Sequence, residues 1–509
     1  MTKSFGRLKF RDLFITDLSL WAGRIFFALK IDELRVRLVN WLLLLGWLLL
    51  IASLLFSHGP WFLAEVKLCG FLPGCENHPD HLGNILFWGG AVPQILLLIV
   101  LSGHSVWRRI CPLAFISQIA RHLNGQRRRR RPDGVLEVVK IDPNSFWGRH
   151  HVRWQWFFLF VGLCLRLLAV NSDPFLLALL LLTTLLAAVL VGWLWGGKAW
   201  CQYFCPMGPV EAILVGPGLE RSLPIAEAKK ALPQSICRTV VQGDRVRNAC
   251  VNCQSPCIDI EAERSYWYNQ LSLKGFDLAW WSYPGLVLSF FLILQSLEPG
   301  DPLYISRLHW ATDTRLKTHI FSNFHAIPHL LDLPRIIAIP ALLLLGAMGS
   351  FLVFFLLHRR CRLSQHRCRL VATFLALNFF FCFADPSLGV LGSIPMLTIK
   401  LLVLAFSSRL VIRGWNRDRN VYLHEKALLS LYRHVLRHSS DLTSIRLDST
   451  WSRRRQIASL NVLVSEIGHQ ASQELRQRLY RLVFNDLTKE AKIDQSEAHH
   501  IIAKHCGLL

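Results

Sequence analysis

Apolar residues dominate the stretches at about 38–57, 83–103, 154–170, 174–196, 278–297, 336–357, 370–384 and 387–407. Most approach the ~20 residues that a helix needs to cross a bilayer, so the pattern predicts an all-α integral membrane protein with about eight transmembrane helices. The stretch 370–384 is the shortest and carries Asn378; it is expected to form a tight hairpin with its neighbour across Ala384, Asp385 and Pro386. After Ser408 the pattern changes to charged and polar residues with helical periodicity, as in LHEKALLSLYRHVLRH and ELRQRLYRLVF, which predicts a helical carboxy-terminal region. The expected organisation is a basic amino-terminal segment 1–37, four spans in 38–196 interrupted by a basic loop 104–153, a polar region 197–277, four more spans in 278–407, and the helical region 408–509.

Charge assigns a side to each loop. The chain has 509 residues, 52% of them hydrophobic, and a formal net charge of +23. The basic residues concentrate in 1–37, 104–153, 197–277, the cluster Arg359, Arg360, Arg362, Arg367 and Arg369, and the segment after Ser408, which are the alternate segments that eight spans place together. Positive loops stay inside, so the expectation is a multi-pass protein of the inner (plasma) membrane with both termini cytoplasmic. The first 37 residues lack a compact apolar core followed by a small-residue cleavage site, so this segment is expected to be retained. The run Arg127 to Arg131 has no interleaved aromatics; it reads as an orientation signal that touches anionic lipid, and nucleic acid is not expected as a partner. Arg166 and Lys400 fall inside apolar stretches, where snorkelling or a buried pair is the expectation.

The cysteines then divide by compartment. Cys69 and Cys75 lie in an outer loop that suits a disulfide, Cys164 and Cys382 read as buried small side chains, and Cys506 has no informative context. The remaining nine are on the reducing side, where clustered thiols point to metal ligation. Cys250, Cys253 and Cys257 form C-x2-C-x3-C in ACVNCQSPCIDI, and Cys237 is the nearest candidate for a fourth thiolate. In WCQYFCPMGP, Cys201 and Cys205 stand four residues apart just beyond a span, where Pro206 is expected to break the helix and expose both sulfurs. Cys111 and Pro112 in WRRICPLAF repeat half of this feature after another span. Zinc also accepts four thiolates. Cysteine–proline features at the mouths of transmembrane helices favour iron–sulfur chemistry, because zinc carries no electrons.

These motifs resemble the polyferredoxin-like membrane family that includes the NapH, NosR and CcoG proteins, whose C-x3-C-P motifs sit at the cytoplasmic ends of transmembrane helices ahead of ferredoxin-type clusters. Cys201, Cys205 and Pro206 match the motif in full, whereas Cys111 and Pro112 match its second half, with Trp107 where the first cysteine would stand. ACVNCQSPCIDI departs from the ferredoxin run because it has three cysteines and no closing Cys-Pro. The resemblance covers about residues 83–260 and implies a membrane electron-transfer protein; the outer loops leave no room for the flavin-bearing domain of the NosR type.

Setting aside Cys361 and Cys368, the cytoplasmic side offers seven cysteines, and two fully thiolate-ligated cubanes require about eight. One 4Fe-4S cluster is therefore expected, with a second only if Cys361, Cys368 or a non-cysteine ligand completes it. Those two cysteines, in HRRCRLSQHRC, are either activated by the surrounding charge or ordinary loop residues. Arg238, Arg245 and Arg247 are placed to raise the potential of a nearby cluster. His309, His319, His325 and His329 share an outer segment, but His-x3-His is a weak signal and haem is not expected. The late stretch NDLTKEAKIDQSEAHHII lacks a calcium ladder, and there is neither a nucleotide-binding glycine motif nor a nucleophile with its base. The expected function is electron transfer between a membrane donor, a quinol or a protein, and a redox partner protein; the alternative is a membrane redox sensor or maturation factor whose cluster controls the carboxy-terminal region.

Overall fold

The computed structural model describes residues 33–55, 82–215, 239–297, 321, 333–383, 393–438 and 453–508, apart from gaps of one or two residues inside these stretches. Cys69, Cys75, Cys237, Cys250, the four outer histidines and the turn at Ala384 to Pro386 lie outside the described residues. Two compact units emerge: Met1–Pro217 with Gln234–Ser255 and Leu273–Ile412, and Gly218–Pro233 with Pro256–Ser272 and Arg413–Leu509.

In the first unit, helix α1 spans Glu33–Leu55. The π-helical Ile85–Ala91 leads into α2 (Val92–Ser102), followed by α3 (His104–Ile110) and α4 (Pro112–Ile116). Helix α5 (Phe146–Leu165) continues as π-helical Arg166–Val170, and α6 (Pro174–Leu194) and α7 (Met207–Val215) complete this half. Helix α8 (Ala262–Ser272) belongs to the second unit. Then come α9 (Phe276–Leu297), α10 (Arg335–Arg360), α11 (Gln365–Cys382) and α12 (Ser393–Gly414). Among the described residues six helices, α1, α5 with its extension, α6, α9, α10 and α12, are long and apolar enough to cross a membrane. Their outward faces are apolar too: Leu45, Leu345 and Leu401 are 53%, 62% and 56% exposed, a surface that suits lipid rather than water. The chain is a multi-pass membrane protein.

The other two expected spans also fold as helices. Leu86–Val100 is shorter, and α11 begins with His366, Arg367 and Arg369 and so is less apolar than the six. Arg369 is fully buried and pairs through Nε and Nη2 with Asp277 Oδ1 at 2.9 and 2.6 Å, tying the start of α11 to the first turn of α9. Asn378 Nδ2 donates to Ser407 Oγ at 2.9 Å, and Lys400 Nζ reaches the Cys382 carbonyl at 3.1 Å, so polar bonds join α11 to α12, the two helices expected to form a hairpin. The guanidinium of Arg166 lies 3.8 Å from the Trp88 ring centre and 4.8 Å from that of Phe290, which accommodates its charge among aromatic faces.

Caps fix where helices start. Asp173 Oδ1 accepts from the amides of Phe175 and Leu176 ahead of α6, whose first residue is Pro174, and Ser145 Oγ accepts from Gly148 ahead of α5. Two short antiparallel hairpins, Arg128–Arg130 with Leu136–Val138 and Thr239–Gln242 with Arg245–Asn248, are elements that hydrophobic periodicity does not reveal.

The second unit is helical: α8 with α13 (Arg419–His438), α14 (Arg453–Gln470), α15 (Gln473–Glu490) and α16 (Gln495–His505). Leu423, Ala427, Leu431 and Val435 form a fully buried stripe on α13, as spacing of four predicts. Arg417 pairs with Glu263 and Glu425, linking α8 to the carboxy-terminal helices. The region from Ser408 is therefore helical as expected, whereas Pro256–Ser272 leaves the polar region 197–277 to join it.

Helices α9 and α10 cross at small residues. A Cβ on Gly346 would stand 1.6 Å from Ser289 Oγ and 3.0 Å from the Gly285 carbonyl, whereas one on Gly349 meets nothing within 4 Å. Gly346→Leu is expected to destabilise the protein by about 1–3 kcal/mol or more through overpacking. Thermal unfolding in detergent checks this, with Gly349→Leu retaining the wild-type transition.

Candidate functional site

Two turns in the first unit share one backbone solution. Cys111 has φ −58° and ψ 122°, Cys205 has φ −59° and ψ 122°, and each precedes a proline and then a helix, α4 or α7. The Cys111 amide donates to the Trp107 carbonyl at 2.8 Å, and the Cys205 amide donates to the Trp200 carbonyl at 2.9 Å. The first bond spans four residues and the second five, so the second turn is a π turn with one residue more. By this bond Trp107 corresponds to Trp200, while by spacing Trp107 stands four residues before Cys111 as Cys201 stands before Cys205. Proline explains the common geometry, because it forces the preceding residue out of the helical region and offers no amide of its own.

The turns converge. Cys201 is buried in a cluster with Ala114, Phe115, Trp200, Tyr203 and Phe204, and Cys111 and Cys205 pack against the same cluster. Burial pushes the Cys111 thiol up to about 11 and the Cys201 thiol up to about 12, and it holds Cys205 well above the ordinary thiol range, with Cys201 and Glu211 adding to the effect. Arg108 and Lys198 pull Cys201 in the opposite direction. Such thiols are poor nucleophiles at neutral pH, so the site suits ligation, in which a cation displaces the proton, better than covalent catalysis.

Charged side chains missed by the sequence reading support these turns. Arg108 Nε donates to Glu211 Oε2 at 2.7 Å, and Lys198 Nζ donates to the Arg108 carbonyl at 3.1 Å. All three residues are buried, Lys198 at 1% exposure. In sequence they look like ordinary loop charges; the available signal is that Arg108 and Lys198 each stand three residues ahead of a cysteine.

Cys253 approaches from the later loop. Gly197 has φ +77°, and a Cβ there would stand 2.9 Å from Cys253 Cβ and 3.1 Å from Cys253 Sγ. Tyr203 Oη donates to the Cys253 carbonyl at 3.0 Å, and His151 lies edge-on to Tyr203 with its Nδ1 2.8 Å from the Gly148 carbonyl. Thus Cys253 sits beside the residue that opens the Lys198–Cys205 segment. Cys257 is buried within the second unit, and the hairpin carrying Arg245 and Arg247 ends just before the expected ligand loop.

Cys368 is fully buried on α11, and burial pushes its thiol up to about 11, with Asp277 adding to the rise; this removes the expectation of an activated thiol there. Cys361 is exposed. Among the described residues no three His, Cys, Asp or Glu side chains form a group that could hold a metal ion. No protein-family profile, curated protein or solved structure matches the chain.

Gly197→Ala adds a methyl where both φ and space oppose it, at a backbone cost of about 1–2 kcal/mol. Maleimide labelling followed by peptide mass spectrometry is expected to show faster modification of Cys253 in this variant, and no change in Gly90→Ala, where a Cβ meets nothing within 4 Å.

Proposed function

We propose that this multi-pass membrane protein carries a 4Fe-4S cluster and passes electrons one at a time between a membrane donor, a quinol or a protein, and a redox partner protein. The observation that carries the reading is the convergence of Cys111, Cys201 and Cys205 on one buried cluster, with Cys253 against Gly197 beside it. These thiols supply the soft donors such a cluster takes, and from the sequence Cys237, Cys250 and Cys257 are further candidate ligands. A cubane is ligated at separate corners, so its thiolates stand further apart than those on one zinc ion. When bound, the cluster supplies one-electron redox chemistry. The chain's own contribution is to bury the sulfurs, exclude water and set the local charge.

The reading draws on the resemblance of the C-x3-C-P motif to that of the polyferredoxin-like membrane family, and takes from the positive loops a thiol site and both termini on the cytoplasmic face of the inner membrane. The test is anaerobic purification in detergent with iron and sulfide analysis and electron paramagnetic resonance before and after dithionite. The wild type is expected to hold about four irons per chain and to show a reduced-state signal that Cys201→Ser and Cys205→Ser lose. An iron-free protein, or signals unchanged in both variants, contradicts the reading.

The second reading, a redox sensor or maturation factor, draws on the compact helical unit built by α8 and α13–α16. Removing residues after Ser408 separates the two: electron transfer to a soluble acceptor is expected to persist for a carrier, and its loss together with partner binding, while the cluster is retained, favours the sensor.

A further inference from the structure

Arg108, Lys198 and Glu211 are more deeply buried than ion-pairing side chains at a helix end need to be. They flank the two thiol-bearing turns: Arg108 precedes Cys111 in the first, while Lys198 precedes Cys201 and Glu211 follows Cys205 on α7 in the second. The side chain of Lys198 bonds the backbone of Arg108 at 3.1 Å, and the side chain of Arg108 bonds Glu211 at 2.7 Å. One chain of bonds therefore runs from the second turn to the first and back to the helix that leaves the second. A buried charge is costly, and replacing it with apolar side chains would serve stability at least as well. In the same low-dielectric surroundings each charge acts strongly on whatever the thiols hold.

We infer that Arg108, Lys198 and Glu211 are positioning residues that hold the thiol-bearing turns in register and set the reduction potential of the iron–sulfur group bound there. The inference rests on the reading under Proposed function. Reduction adds an electron, and therefore negative charge, to the bound group. Lys198 and Arg108 favour that state and raise the potential, while Glu211 opposes it and lowers the potential. The three thus act with opposite signs on one centre, which a purely structural clamp does not do.

The test uses the full chain purified anaerobically as wild type, Lys198→Met, Lys198→Arg and Glu211→Gln. Iron per chain is measured first, and then the midpoint potential by redox titration followed by electron paramagnetic resonance. Lys198→Met is expected to titrate below the wild type, Glu211→Gln above it, and Lys198→Arg with it. Loaded variants that titrate together with the wild type, or that move in the same direction, overturn the inference and leave the iron–sulfur reading standing. Lower iron content with an unchanged potential in the clusters that remain also overturns it, because that is the result of a structural role alone. If one variant does not accumulate in membranes, the sign of the shift in the other decides. A wild type without iron removes the underlying reading itself, so the two failures are told apart by the first measurement.

Discussion

A helix that ends leaves carbonyls to be satisfied, and the way the chain meets that demand governs the rest of the site. Both cysteine–proline turns meet it with the same parts, though one is a residue longer: the cysteine amide closes back on a tryptophan carbonyl, the proline ends the helix, and a new helix begins. The thiol therefore sits on the residue whose backbone makes the turn. Its position is set by hydrogen bonding and proline geometry rather than by packing of a mobile loop.

Burial then sets the chemistry. Trp200, Tyr203 and Phe204 close around the thiols and keep them protonated in the absence of a metal, while Arg108 and Lys198 draw at least Cys201 toward the thiolate. These opposing influences suit a ligand set that releases its protons to a bound cation and otherwise stays inert. Elsewhere in the same unit, polar groups within apolar helices are satisfied locally, as with Arg369 on Asp277 and Lys400 on the Cys382 carbonyl. They therefore read as structural, in contrast to the buried charges grouped around the thiols.

Hydropathy made the membrane character and six helices legible, because a run of apolar residues as long as Pro174–Leu194 has few alternatives to crossing a bilayer. It did not reveal how α11 starts, where a buried arginine is paired by a residue 92 positions away in sequence, a contact that local pattern does not encode. The cysteine–proline motifs pointed to Cys111, Cys201 and Cys205 because proline acts on its immediate neighbour. Local rules of that kind survive without knowledge of the fold. Lys198, Arg108 and Glu211 were not legible, since their meaning comes from pairing across segments 90 and 103 residues apart. The arginine run formed a short strand because pairing with Leu136–Val138 depends on where α6 ends: Arg127 donates to the Trp193 carbonyl and Gly196 to that of Val139.

The proposed function requires that the converging thiols hold an iron–sulfur cluster. X-ray absorption at the iron and zinc edges, on anaerobically purified full-length protein, tests it directly. A bound 4Fe-4S cluster is expected to give an iron edge with a shell of sulfur neighbours and a second shell of iron, both diminished together when Cys201 and Cys205 are replaced by serine. A zinc edge with a single sulfur shell, or no metal at either edge, would contradict it.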